Sequence, residues 1–250
     1  MADAVTLEVE SGAATITLNR PDSLNSWNEE LGRDLAAALE RAGRSPEVRA
    51  VMITGAGRAF SSGADLAEQR SGAEGEVPDL SLRLRELYNP IILSARELEK
   101  PVIAAVNGPA AGIGCSLALA CDMIVAAESS FFLLAFVNVG LVPDGGTTLT
   151  VPARVGAARA TEMAMLGERV PAPTALEWGL INRVVPDADL EQAAAALLAQ
   201  LAGGPTRAYA GLAEQLDAEA EAQREQGRTA DFVEGVVAFA QKRPPQFRGE

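Results

Sequence analysis

The chain of 250 residues contains no histidine. That absence excludes Ser-His-Asp and Cys-His nucleophilic centres and zinc sites built on imidazole. Acid–base chemistry, if any, falls to carboxylates, tyrosine, lysine, cysteine or water. Lysine is almost missing: Lys100 and Lys242 are the only two, and the net charge is −13. Nucleic acids and anionic membranes are therefore not expected partners. Two cysteines, Cys115 and Cys121, are too few for a disulfide framework. Both sit in an Ala/Leu stretch and read as small buried hydrophobes. No apolar run approaches membrane-spanning length. The N-terminal residues include Asp3 and Glu8 and no apolar segment of signal-peptide type, so a cytoplasmic location is the expectation.

Apolar residues make up 48% of the chain, enough for a sizeable core in one large domain, with or without an appendage. Val5, Leu7 and Val9 alternate with polar residues, Ser11-Gly12 interrupts, and Thr15–Leu18 resumes, which predicts a hairpin. Ser26-Trp27-Asn28-Glu29 reads as a capping box ahead of a helix with Leu31, Leu35 and Leu39 on one face. Buried strands are predicted at 50–53, 102–106 and 122–126, with a short helix near 114–120. The polar segment 68–79 reads as a mobile surface stretch. Leu80, Leu84, Leu87, Ile91, Ala95 and Leu98 then have helical spacing, with a kink expected at Pro90. Strands and helices alternate through the first 130 residues, as in an α/β fold. Helices are predicted at 144–166, 173–178, 188–202, 206–226 and 229–241, and no sequence repeat of 20–50 residues is present. The apolar stripe Leu212, Leu216, Phe232, Val236 and Phe239 fits either packing within the subunit or contact with another subunit.

Two small-residue loops follow buried strands: Gly55–Leu66 and Asn107–Cys115. Small residues let a ligand approach the backbone, and free N–H groups at helix starts can point at a bound oxygen. Two such loops converging on one oxygen form an oxyanion hole; either alone reads as an ordinary βα turn. Neither is a nucleotide-binding fingerprint, since Leu117 stands where the third glycine of such a motif belongs and no Gly-Lys-Ser/Thr follows. A third segment, Gly140-Leu141-Val142-Pro143-Asp144-Gly145-Gly146, holds a lone carboxylate in apolar surroundings. Asp144 reads as a helix N-cap or, beside an oxyanion hole, as a general base.

Five blocks in this order resemble the crotonase (enoyl-CoA hydratase/isomerase) superfamily almost end to end: Leu18-Asn19-Arg20-Pro21 with Leu24-Asn25, Ala59–Leu66, Pro101–Gly108, Gly140–Asp144 and Glu177–Asn182. The resemblance implies a spiral core of repeated ββα units over 1–190 and a C-terminal helical trimerisation region over 191–250. It implies an acyl-CoA ligand, with coenzyme A part of the substrate and no separate cofactor, and a homotrimer or dimer of trimers. The oxyanion-hole donors would be the N–H groups of Ala64 and Ile113, the latter where the family usually has glycine. Leu24, Ser26, Ala64, Asp65 and Leu66 match positions along the CoA arm. Ser62, Gly112, Phe136 and Pro143 are further substrate-contact positions. Phe131 and Phe132 fit either an acyl pocket or the core.

Hydratases of the family use two glutamates, where this chain has Ser116 and Phe136. Asp144 instead resembles the single acid of the enoyl-CoA isomerase branch, including the ring-enoyl isomerases of phenylacetate breakdown. The resemblance thus implies transfer of a β,γ double bond to α,β. The alternatives are a family member with weak or no hydratase activity, or a non-catalytic acyl-CoA-binding homologue. Aryl-CoA dehalogenation, which resembles this pattern in its aspartate, needs a histidine that the chain lacks. An apolar pocket would raise the Asp144 pKa.

Overall fold

The computed structural model describes residues 3–65, 79–213 and 228–246. Leu66 and nearly all of the 68–79 segment fall outside them, as do Leu216 and the end of the helix predicted over 206–226. The chain divides into two compact units, Met1–Thr206 and Arg207–Glu250.

The first unit is built on a six-stranded sheet. β1 (Val5–Glu10) and β2 (Ala13–Leu18) form the expected antiparallel hairpin. β2 then pairs in parallel with β3 (Ala50–Gly55), β3 with β4 (Val102–Val106), β4 with β6 (Met123–Ala127) and β6 with β9 (Arg183–Val185). A small second sheet joins β5 (Ala110–Ala111), β7 (Phe131–Leu133) and β8 (Val170–Pro171). The helices α1 (Glu29–Arg44), α4 (Ile113–Ala120), α5 (Thr147–Leu166), α6 (Ala172–Glu177) and α7 (Leu190–Ala202) surround them. Between α1 and α4 lie α2 (Leu80–Arg83) and α3 (Asn89–Arg96). The successions β4–β5–α4 and β6–β7–α5 repeat one ββα turn, first strands in the large sheet and second strands in the small one. This is the crotonase-like spiral, and it carries no matching repeat in sequence.

Period-2 alternation sorts the parallel strands into two faces. Val51, Ile53, Ala104 and Ile124 belong to a core with Leu31, Leu35 and Leu39 of α1. Met52, Ile103, Ala105 and Val125 belong to another with Leu190, Ala194, Leu197 and Leu198 of α7. Both faces are covered, which is why these strands are nearly continuous apolar runs. Since α7 completes one of these cores, the first unit extends past the expected 190/191 boundary.

Two local expectations are corrected. Asn28, not Ser26, caps α1: its side chain accepts from the Leu31 N–H at 2.8 Å, while the Ser26 hydroxyl donates to Asp65 Oδ2 at 3.1 Å. Where a kink is expected at Pro90, the structure has a π-helical turn over Leu84–Tyr88 just ahead of it, closed by the Asn89 N–H donating to Leu84 O. Proline has no N–H and its ring crowds the carbonyl four residues back, so widening the turn accommodates it.

Lys100 closes the end of α1. Its Nζ donates to the carbonyls of Ala42, Gly43 and Ser45, each at 2.7 Å. These are carbonyls a helix C-terminus leaves unsatisfied, at its negative end. Lys100→Met is expected to lower stability by about 1–3 kcal/mol, read as a lower midpoint in chemical denaturation.

In the second unit, α9 (Ala230–Ala240) is capped by the Thr229 hydroxyl accepting from the Phe232 N–H; it follows α8 (Thr206–Ala213), which starts at the boundary. On α9, Phe232, Val236 and Phe239 are exposed, Phe239 to 87%.

Candidate active site

The two small-residue loops are stitched together. Asn25, fully buried, donates through Nδ2 to the Ala56 and Ala59 carbonyls, and Asn107 donates to those of Gly55 and Gly57. The Ser61 N–H donates to Pro109 O at 3.0 Å, and the Ala111 N–H to Ser61 O at 2.9 Å. These bonds make a parallel bridge between Ser61 and Ala110. Three residues further along each segment stand Ala64 and Ile113, and both expected donors lie on the wall of one cavity. The residue before each is a glycine with positive φ: Gly63 at 96° and Gly112 at 51°. Among the described residues, neither the Ala64 nor the Ile113 N–H donates a hydrogen bond. Ile113 opens α4, where such donors lack partners within the helix. Its side chain is accommodated because residue 145 is glycine: a Cβ there would lie 2.9 Å from Ile113 Cδ1.

Asp144 follows a 3-10 turn over Ala135–Val139 and a left-handed Gly140. The helix expected from 144 begins at Thr147, with Gly146 in the cap position, so the Asp144 carboxylate does not cap it. Its main-chain carbonyl does the tying, accepting from the Thr147 hydroxyl at 2.8 Å and from the Ser116 hydroxyl at 3.2 Å. The Ser116 hydroxyl also lies 3.3 Å from Gly112 O, which links the acid to the oxyanion loop. Asp144 Oδ1 is buried without a hydrogen-bond partner among the described residues. Burial pushes the carboxyl from 3.8 up to about 6. By contrast, the buried Cys115 thiol is pushed up to about 12 and is inert at neutral pH.

A cavity of about 210 Å³ joins these groups. Ser62, Ala64, Gly112, Ile113, Phe136 and Asp144 are on its wall. Leu24, Ser26, Asp65 and Pro143 are not. The first three form a braced strip beside Ala64. Leu24 O accepts from the Ser62 N–H at 2.9 Å, and Asp65 is held by Arg20 at 3.3 Å and by Ser26. Phe132 is fully buried in the core, and Phe131 stacks under Arg169. The sequence reading missed Leu80, Arg83, Leu84 and Tyr88, which line the cavity from α2 and the π-helical turn. Leu80 and Leu84 belong to the helical spacing read from the sequence, and that spacing does not say which wall they face.

The family model described as enoyl-CoA hydratase/isomerase matches residues 8–250. The chain is 42% identical to the 1,2-epoxyphenylacetyl-CoA isomerase of Escherichia coli K12, over 100% of both chains. It is 45% identical to a probable enoyl-CoA hydratase of Rhodobacter capsulatus, over 97% of this chain and 96% of that one. A crystal structure of an enoyl-CoA hydratase from Bacillus anthracis superposes with a TM-score of 0.80 at 31% identity, covering 99% of this chain and 100% of the other. With this architecture and full-length similarity, the chain belongs to the enoyl-CoA hydratase/isomerase family of the crotonase superfamily.

Proposed function

We propose that the protein is an enoyl-CoA isomerase that moves a β,γ double bond into conjugation with the thioester. The observation that carries this reading is the lone acid: Asp144 is the only carboxylate on the cavity wall among the described residues, and its Oδ1 is buried without a partner. The Asp144 carboxylate takes a proton from Cα. The electron pair moves onto the thioester oxygen, where the Ala64 and Ile113 N–H groups hold the developing charge. The neutral carboxyl then returns the proton at Cγ as the C–C double bond forms between Cα and Cβ. One group in two protonation states suffices, and no water is consumed. A pKa of about 6 leaves the group ionised at neutral pH and more basic than an exposed aspartate.

The positions where a two-glutamate hydratase keeps its acids support the same reading. Ser116 is engaged with Asp144 O and Gly112 O, and Phe136 is apolar wall. The E. coli relative is itself named as an isomerase. The Rhodobacter relative favours a second reading, a family member acting as a hydratase. In either case the ligand is an acyl-CoA with no separate cofactor. Exposed Phe232, Val236 and Phe239 favour assembly into a homotrimer or dimer of trimers.

The test follows conjugated enoyl-thioester absorbance with 3-hexenoyl-CoA and, separately, 2-hexenoyl-CoA. A rise with the first and no loss with the second is the expected result. Loss of absorbance from 2-hexenoyl-CoA alone would replace isomerisation by hydration, and inertness towards both would leave an acyl-CoA-binding protein.

A further inference from the structure

Asp144 Oδ1 is buried without a partner among the described residues, so the place of the acid is set by the backbone that carries it. That backbone is held at the Asp144 carbonyl. Thr147 donates to it twice, through its N–H at 3.2 Å and its hydroxyl at 2.8 Å. Both bonds are local and close the turn that Asp144 itself opens. The Ser116 hydroxyl, at 3.2 Å, is the one donor that reaches Asp144 from another element among the described residues. Ser116 is 1% exposed and stands one turn after Ile113 on α4, whose first N–H is the expected oxyanion donor. Its hydroxyl has one proton and two carbonyls in range, Asp144 O and, at 3.3 Å, Gly112 O. A bond back to the i−4 carbonyl is the ordinary habit of a helical serine, and Gly112 O already accepts from the Ser116 N–H at 3.0 Å. The bond across to Asp144 is the one with a consequence outside the helix. Packing agrees with it. Gly145 has φ 57°, and a Cβ there would lie 2.6 Å from Ser116 Cβ and 2.9 Å from Ile113 Cδ1. The Asp144-Gly145 turn therefore sits directly on residues 113 and 116, which share a face of α4.

We propose that Ser116 is a positioning residue, whose hydroxyl holds the Asp144 main chain on the first turn of α4 and so fixes the acid relative to the Ile113 N–H. The assignment rests on the isomerase reading, in which one carboxylate must reach both Cα and Cγ of a thioester held by that donor. No second charge complicates its titration. Burial alone shifts the Asp144 carboxyl, and neither Arg83 nor Tyr88 on the cavity wall contributes. Neither α4 nor the Ala135–Val139 turn carries a charged residue, and the Cys115 thiol of α4, pushed up to about 12, is neutral.

The test uses Ser116→Ala, which removes only the hydroxyl oxygen and leaves a strong helix former, so the fold is expected to persist. With 3-hexenoyl-CoA, kcat is expected to fall roughly 10- to 100-fold while KM holds. An acid released from α4 is reached by more water, which lowers its pKa from about 6 towards 3.8. The pH at which kcat/KM is half-maximal should fall with it. Ser116→Thr keeps a hydroxyl and should restore both. A second readout needs no turnover: the gap in thermal midpoint opened by Asp144→Asn, followed across pH with Ser116 and with Ser116→Ala. Because the gap grows with the folded-state pKa, it should be smaller in Ser116→Ala and complete at lower pH. A pH profile and a stability gap both unchanged in Ser116→Ala would overturn the proposal, whatever happens to kcat. A Ser116→Thr protein that behaves like Ser116→Ala would overturn it too. A wild-type protein inert towards 3-hexenoyl-CoA counts against the isomerase reading, and the stability gap then decides for or against Ser116 on its own.

Discussion

Asp144→Asn is expected to remove isomerisation and, at neutral pH, to make the fold more stable. The amide keeps the shape of the side chain but cannot take a proton, and losing a positioned general base costs roughly 10²–10⁴ in rate. Acyl-CoA binding is expected to survive, because the Ala64 and Ile113 N–H groups belong to backbone that the substitution does not touch. The stability gain follows from the raised pKa. Folding lifts the carboxyl from 3.8 to about 6. Below pH 3.8 the group is neutral in both folded and unfolded chains and imposes no penalty. As pH rises through about 6 the folded protein must carry a buried charge, and stability is lost. At pH 7 that loss is about 1–3 kcal/mol, allowing for the part of the group that water still reaches. Thermal midpoints of wild type and Asp144→Asn should therefore nearly coincide near pH 3.5, draw apart as pH rises from about 4 to about 6, and stay apart above that, with the variant higher. Wild-type kcat/KM should rise with pH through about 6 and then level off, the ionised form being the base. A variant less stable at pH 7, or one retaining a tenth of the turnover, would show that the carboxylate is structural.

Legibility in the sequence followed the length and regularity of each element. The hairpin and the runs at 50–53 and 102–106 were readable because burial on one or both faces leaves a pattern over five or six residues. β5 and β8 have two residues each and β7 and β9 three, too short for any period to register. Their existence depends on pairing with distant segments, as Phe132 does with Ala110. Ser26 and Asn28 both offer a capping oxygen within two residues of each other. Ser26 is drawn off by Asp65, some forty positions away.

The same limit applied to the site. Asp144 at a Pro-Asp-Gly-Gly turn is equally a cap or a base in sequence, and a three-residue shift in the helix start decides between them. The Ser61–Ala110 bridge ties together the two loops that carry Ala64 and Ile113, and the two loop sequences do not announce it. Arg83 and Tyr88 were missed for another reason. Apolar spacing at Leu80, Leu84 and Leu87 looks the same whether it faces a core or a cavity. Only the position of the opposite wall separates them.

The oxyanion hole makes the second large prediction, and the residue to change is Gly112. A backbone donor cannot be deleted by changing its own side chain, but the conformation that aims it can be denied. Gly112 has φ 51° and ψ −129°, a region that residues with a Cβ avoid. Space is not the obstacle, because an added Cβ would lie 3.7 Å from its nearest neighbour, Gly63 Cα. Gly112→Ala should therefore fold, relieve the strain by rotating the peptide that carries the Ile113 N–H, and lose roughly 10²–10³ in kcat, as for loss of one oxyanion donor. Gly156→Ala is the control for strain alone. It too has positive φ, at 76°, with nothing within 4 Å of its Cβ position, and it lies within α5. It should lose stability without a comparable loss in kcat. The pH profile then separates two ways in which Gly112→Ala can act. If only the donor turns away, the plateau falls and the midpoint near 6 stays, since burial sets the Asp144 pKa. The Ser116 hydroxyl, however, lies between Gly112 O and Asp144 O. A displacement passed through that contact would move the acid as well and shift the midpoint. A lower plateau with a shifted midpoint would mean that base and oxyanion hole are held as one unit. Ser116 would then be its coupling, at the position where a hydratase keeps a glutamate.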